Sequence, residues 1–274
     1  VGLDGIRYLA LGTDRKLYIY TEGAVYDITP IRATESLTNP FTTNGTTTVS
    51  VADAAHGANV GDFVTFDSFS SIDGLNMNQE FEITSITSAS VYTVTHTSTA
   101  SGSTSGGGGS GNASYQITTG PSTSTYGYGW STDTWSTSTW NTPRSSSSVV
   151  VDARNWSLDN FGEDLIATVL NGGTFVWDTS SGTGTRATAL SNAPTASRFS
   201  LVSTDTRHLM IFGTETTIGS TTTQDDLLFR FSDREDATDY TPVSTNEAGS
   251  LRISDGSRIM GAVKSSGQIL VWTD

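Results

Sequence analysis

Three histidines, His56, His96 and His208, are the only imidazoles in the 274 residues. They lie far apart and form no His-x-x-x-His pair, the spacing that turns two ring nitrogens toward one metal. Cysteine is absent, which removes disulfides, thiol nucleophiles and thiolate ligands. A lone histidine of this kind fits a turn or a packing role. Asp159 with Asp164, or Glu163 with Asp164, could be imagined as a glycosidase pair, but that chemistry needs a set separation across a sugar bond, which closeness in sequence does not provide. Residues 232–242, SDREDATDYTP, hold four carboxylates that could face calcium. The EF-hand spacing is missing, and a solvated turn is the simpler reading. Gly106, Gly108 and Gly111 match G-x-G-x-x-G inside SGSTSGGGGSG. A dinucleotide site needs a strand before that motif and a helix after it, and neither is evident. There is no Gly-x-Ser-x-Gly elbow and no P-loop. The expectation is no catalytic residue, no cofactor and no metal.

Large rings are a stronger signal. Residues 120–148 read GPSTSTYGYGWSTDTWSTSTWNTPRSSSS. Tyr126, Tyr128, Trp130, Trp135 and Trp140 are candidate interface anchors, because Trp and Tyr dominate interface energetics. The five-residue Trp spacing matches neither a helix face nor one face of a strand. A loop that tucks its rings under its own domain is the alternative.

The elements that would position such groups repeat. Leu165–Leu170 is an apolar run of strand length, Asn171-Gly172-Gly173 supplies a tight turn, and Thr174–Trp177 returns. The preceding Trp156–Glu163 reads as a polar turn. Ile6–Gly12 leads through a polar turn into Leu17–Tyr20, and Arg258–Val263 leads into Gln268–Trp272. A looser copy joins His208–Phe212 to Leu227–Phe231. Each is strand, polar turn, then a strand ending in an aromatic. One such hairpin cannot bury its apolar face alone, so copies must stack, as propeller blades or in a sandwich.

Composition agrees with an all-β chain. Charged residues make up 15%, small polar residues abound, and no sustained helical period appears. No apolar run reaches about 18 residues, so no membrane insertion by this chain is expected. The net charge of −14, from 14 basic and 28 acidic residues, argues against a surface built to grip nucleic acid. It suits a soluble protein, or a surface past which DNA slides.

The text changes at Ser36. From there to Thr118 Trp is absent, and five short segments alternate polar with apolar: 47–51, 62–66, 80–86, 90–95 and 114–118. The expected plan is propeller-like hairpins at 1–35, an inserted small barrel or sandwich of OB or immunoglobulin type at 36–118, an aromatic connecting loop at 119–148, and the remaining repeats at 149–274. The segment 101–111 should be a flexible loop.

WSLDNFGEDLIATVLNGGTFVWD, then FSDREDATDYTPVSTNEAGSLRISDGSRI, resemble the tail nozzle or tail-hub proteins of short-tailed bacteriophages, also called packaged-DNA stabilisation proteins. The Gly-Tyr-Gly-Trp stretch ending in Thr-Pro-Arg-Ser is similar to that group, and so is a β domain inserted after the first blade. The resemblance implies a β-propeller subunit of the virion tail, assembled as a hexameric homo-oligomeric ring. Its neighbours would be the tail adaptor, tail fibre and other virion proteins, and viral DNA would pass through without specific contact. Members of the group usually run longer, so this chain is expected to be a fragment. The rival function is carbohydrate or receptor binding, since propellers with exposed Trp often stack on sugars. Asn44, Asn112 and Asn155 begin glycosylation triplets, which would be chance matches in a phage protein.

Overall fold

The computed structural model describes residues 5–121 and 152–274. The chain is all-β, and every sheet is antiparallel. It divides into two compact units, residues 1–28 with 119–274, and Thr29–Thr118.

The larger unit is a series of meanders. The first sheet is β1 (Leu9–Gly12), β2 (Leu17–Thr21) and β3 (Ala24–Asp27), in that order. The second is β11 (Trp156–Phe161), β12 (Asp164–Val169), β13 (Thr174–Trp177) and β14 (Thr188–Ala189). The third is β15 (Phe199–Val202), β16 (Leu209–Phe212), β17 (Leu228–Phe231) and β18 (Gly249–Arg252). The fourth is β19 (Ile259–Ser265) with β20 (Gln268–Thr273). Sequential up-and-down sheets of this kind are what a propeller blade requires.

The repeat read from sequence is out of step with the sheets. The hairpins β1–β2 and β19–β20 are first and second strands, whereas β12–β13 and β16–β17 are second and third strands. The true first strand of the second sheet is β11, whose residues read as a polar turn. Its polarity has a cause. Ser157 Oγ donates to the Ser200 carbonyl at 2.8 Å, and Asp159 accepts from the Val202 N–H at 2.7 Å. These side chains tie β11 to β15, so they face a neighbouring strand and not water.

The interior strand β12 is buried on both faces. Leu165, Ile166, Ala167, Thr168 and Val169 of β12 are all buried, which explains the apolar run without alternation. Between the second and third sheets lie Ile166, Val202, Leu209, Ile211 and Tyr240. Between the third and fourth lie Leu201, Phe212, Leu227 and Ile259. Three glycines make room for rings: a Cβ at Gly12 would stand 2.8 Å from Trp156, at Gly249 2.5 Å from Phe231, and at Gly261 2.5 Å from Trp272.

In the smaller unit, β4 (Ile31–Thr38), β5 (Phe41–Thr42), β6 (Thr48–Ala52), β7 (Phe63–Asp67), β8 (Glu80–Ser88), β9 (Val91–Thr95) and β10 (Ser110–Gln116) form one sheet. Its order is β4-β10-β7-β8-β9-β6-β5. The sheet is not closed into a barrel. Its terminal strands, β4 and β5, are successive pieces of one segment interrupted at Asn39 and Pro40. Phe41, Val49, Val51, Val64, Phe66, Phe81, Ile83, Tyr92 and Tyr115 fill the interior.

The Gly-rich segment is not the loose loop its composition suggests. Gly107 and Phe41 exchange backbone hydrogen bonds, Asn39 N donates to the Gly109 carbonyl at 2.7 Å, and Ser70 N donates to Gly108 at 2.8 Å. Asp73 accepts from Thr43 Oγ1 and from Thr104 Oγ1. The glycines serve close approach: a Cβ at Gly108, where φ is +98°, would lie 2.4 Å from the Phe41 ring.

Candidate functional site

Two regions of the larger unit carry the most information, the place where first strands meet and the faces its outer sheets leave open. At the first, Lys264 of β19 reaches Asp159 of β11 at 2.6 Å, beside the Val202 N–H of β15. Toward the starting ends of the same strands, Asp152 accepts from Arg198 at 2.8 Å and from Arg258 at 3.4 Å, and Arg198 lies 3.7 Å from Asp226. An aspartate or arginine precedes or opens each of these strands, and opposite charges link one sheet to the next. A cavity of about 670 Å³ lined by Asp152, Arg198, Gln224, Asp225, Asp226 and Arg258 lies over this network. Its charges already pair with one another, which makes it a clasp between sheets.

The second region is apolar. In β2, Leu17 and Ile19 are buried, while Tyr20 is 43% exposed. The register Leu9↔Tyr20, Leu11↔Tyr18 and Tyr20↔Val25 puts these residues on one face. Leu9 and Val25 are more than half exposed. The fourth sheet mirrors this. Ile259, Ala262, Ile269 and Val271 turn toward the third sheet, and Val263, Leu270 and Trp272 are about half exposed on the far side. In β12 Leu165–Val169 are all buried, and in β16 so are Leu209, Ile211 and Phe212, because other sheets cover them.

The sequence candidates fall into structural roles. His56 accepts from Ala58 N at Nδ1 and contacts the Ser88 carbonyl at 3.1 Å through Nε2. His96 repeats the pattern with Ser98 N and the Asn76 carbonyl. In both, a ring nitrogen clamps a turn two residues on. His208 contacts the Ser232 carbonyl at 2.8 Å through Nδ1 and Glu247 at 3.4 Å through Nε2. Asp159 is held by Lys264, whereas Asp164 accepts from Thr179 N at 3.2 Å, and burial raises its carboxyl above the usual range. In the acidic turn, Asp233, Asp236 and Asp239 accept from the backbone N–H groups of Arg234, Thr238 and Thr241. These three aspartates fold their own turn, and the fourth carboxylate, Glu235, pairs with Arg207 at 2.8 Å. Gly106, Gly108 and Gly111 lead into β10, a strand, where a dinucleotide site would need a helix. Among the described residues no three His, Asp or Glu side chains gather to hold a metal. Tyr126, Tyr128, Trp130, Trp135 and Trp140 lie outside the described residues.

Two cavities with mixed linings lie elsewhere among the described residues. One, of about 520 Å³, is lined by Tyr8, Tyr26, Glu22, Glu163, Thr179 and Ser180. The other, of about 370 Å³, is lined by apolar Met210, Phe229, Phe231 and Ile269 and polar Asp205, His208 and Gln268. Sequence reading missed both, since their walls come from different sheets.

No family model matches the sequence, and no curated protein matches it. Among solved structures, phage phi92 endosialidase aligns with 98% of this chain and 41% of its own, at 15% identity and a TM-score of 0.29. The chain therefore spans about two fifths of that protein's length. A superposition this loose identifies neither fold nor function.

Proposed function

We propose that this chain is a structural subunit of a bacteriophage tail, which joins further copies and neighbouring tail proteins in a ring around the DNA path. The observation that carries the reading is the pair of open apolar faces, Leu9, Leu11, Tyr20 and Val25 at one end of the sheet series and Val263, Leu270 and Trp272 at the other. Contiguous apolar surface of this kind marks contact with another protein. Two different patches that meet head to tail produce a ring when the rotation closes. The resemblance to tail nozzle proteins suggests six copies, and a net charge of −14 lets a duplex pass without adhering. In this reading the chain performs no catalysis and needs no cofactor.

Sedimentation and electron micrographs of the purified chain test it. The expected result is a ring that Leu270→Lys dissolves into folded monomers. A chain that stays monomeric at every concentration, with or without that change, overturns the reading. The rival, glycan binding, would use the cavity with Tyr8, Tyr26, Glu22 and Glu163, whose rings and carboxylates suit a sugar's two kinds of surface. A glycan array with wild type and Tyr8→Ala distinguishes the two.

A further inference from the structure

Two hairpin tips of the larger unit carry a glutamate into one cavity. Thr21 pairs with Ala24, so Glu22 and Gly23 form the turn between β2 and β3. Phe161 pairs with Asp164, so Gly162 and Glu163 form the turn between β11 and β12. Both glutamates line the space of about 520 Å³ that also holds Tyr8 and Tyr26. Neither turn selects its acid. Glu22 has φ +50° and Gly23 +86°, a pair of positive angles that Asn or Gly meets at less cost. Gly162 supplies the positive φ of the second turn, +68°.

The wall beside the carboxylates is aromatic. Ile19 and Thr21 are buried on one face of the first sheet, and Tyr26 shares that face because it pairs with Ile19. Tyr8 precedes β1, and its ring meets the Trp177 ring edge-on at 5.2 Å. Thr179 and Ser180 add hydroxyls. Among the described residues of the lining none is basic and none carries a side-chain amide. Arg207 stands 3.7 Å from where a Cβ on Gly162 would lie, but it pairs with Glu235 at 2.8 Å. The negative field reaches the adjoining strand: burial, and after it the charges of Asp178 and Glu163, raise the Asp164 carboxyl above its usual range.

This lining matches an organic cation. Calcium takes six to eight oxygens, and among the described residues no three acidic or imidazole groups gather to hold a metal. An ammonium group uses everything present, since its N–H groups donate to carboxylates and hydroxyls and its charge is attracted to a ring face. Glutamates on two separate tips suit two such charges, and the methylenes between them suit the rings.

We propose that this cavity binds a short aliphatic polyamine, whose ammonium groups pair with Glu22 and Glu163 and whose methylene chain lies against Tyr8 and Tyr26. The site is built from one chain, so it stands whether or not copies assemble into a ring.

Calorimetry of the full chain with spermidine tests it, at about 0.15 M salt, where exposed charges are screened beyond about 8 Å. Saturable binding is expected. Glu22→Gln and Glu163→Gln should each weaken it at least about tenfold, because a charged hydrogen-bond partner is lost. Glu22 is exposed at a turn tip, so its change leaves the packing intact. Tyr26→Leu keeps apolar bulk without a ring face and should cost about two- to fivefold. Glu35→Gln removes the same charge from an exposed site in the smaller unit and should change nothing. Absence of saturable binding, full affinity in both cavity glutamate variants, or equal weakening by Glu35→Gln overturns the proposal. So does displacement of spermidine by maltose, a neutral sugar, which would assign the cavity to glycan.

Discussion

Lys264 Nζ lies 2.6 Å from Asp159 Oδ2, although the two residues belong to the fourth and second sheets. Asp159 also accepts from the Val202 N–H of the third. One carboxylate thus joins the first strands of three sheets. Asp159→Ala would leave a cation and an amide without their acceptor, at a cost of about 1.5–3 kcal/mol. Lys264→Met keeps the stem and the Val202 bond, so it should cost less. A double-mutant cycle in urea should show coupling between the two, and additive losses would refute the bridge.

Asp164 offers a pH signature. Burial raises its carboxyl above the ordinary range, and the nearby Asp178 and Glu163 charges add to this. A raised acid binds its proton more readily folded than unfolded. Stability therefore falls as pH climbs from the unfolded value through the folded one, and the penalty is complete above it. Asp164→Asn retains an oxygen for the Thr179 N–H and removes the charge. The variant should match or exceed wild type in urea midpoint at pH 7, and the difference should fade toward pH 3. A gap that widens on acidification would contradict the assignment.

Tyr115 donates its hydroxyl to Asp53 and meets the Tyr92 hydroxyl at 2.9 Å, while Arg32 lies over its ring at 5.0 Å. Asp53 is only 6% exposed. Tyr115→Phe keeps the ring and takes away the donor to a buried carboxylate, a loss of about 1.5–3 kcal/mol. Thermal unfolding of the full chain should register it at the transition of the smaller unit, and an unchanged midpoint would count against the network.

Much of this was legible in the sequence, and the misses have physical causes. Apolar alternation marked β6, β7, β8 and β9, because each has one buried face. It missed β4, whose Thr34, Ser36 and Thr38 pair with equally polar β10 residues, as in the Thr34–Ser114 and Ser36–Asn112 bonds. It misread β11, where Ser157 and Asp159 are satisfied by another sheet. The glycines of 101–109 looked like a linker because composition cannot distinguish freedom from close approach. The open faces were also hidden, since Tyr20 and Leu270 look like any core residue until a neighbour proves absent.

The Gly-rich segment supports a direct reversal of its linker appearance. Gly108→Ala combines a positive φ with a Cβ 2.4 Å from Phe41, a backbone and packing conflict of about 1–3 kcal/mol. Wild type should resist protease between Gly106 and Gly109, and the variant should be cut there first. Rapid cleavage of wild type at that place would show that the hydrogen bonds to Asn39, Phe41 and Ser70 do not hold the segment.

The outer face of the first sheet should separate folding from assembly. Ile19 and Tyr20 are neighbours on β2, yet Ile19 is 1% exposed and Tyr20 is 43% exposed. Ile19→Ala removes a buried side chain and should cost about 2–5 kcal/mol. Tyr20→Lys touches a face that nothing in the described chain covers, so its effect on monomer stability should stay within about 0.5 kcal/mol. In the ring proposed above the order should invert. A lysine in a desolvated sheet-to-sheet contact has no partner, and burying it is costly. Tyr20→Lys should therefore leave the urea midpoint of the monomer in place and shift the sedimenting species from ring to monomer. Were Tyr20→Lys to unfold the chain as Ile19→Ala does, the face would belong to the core. Were it to change neither stability nor mass, this end of the sheet series would make no contact in the particle.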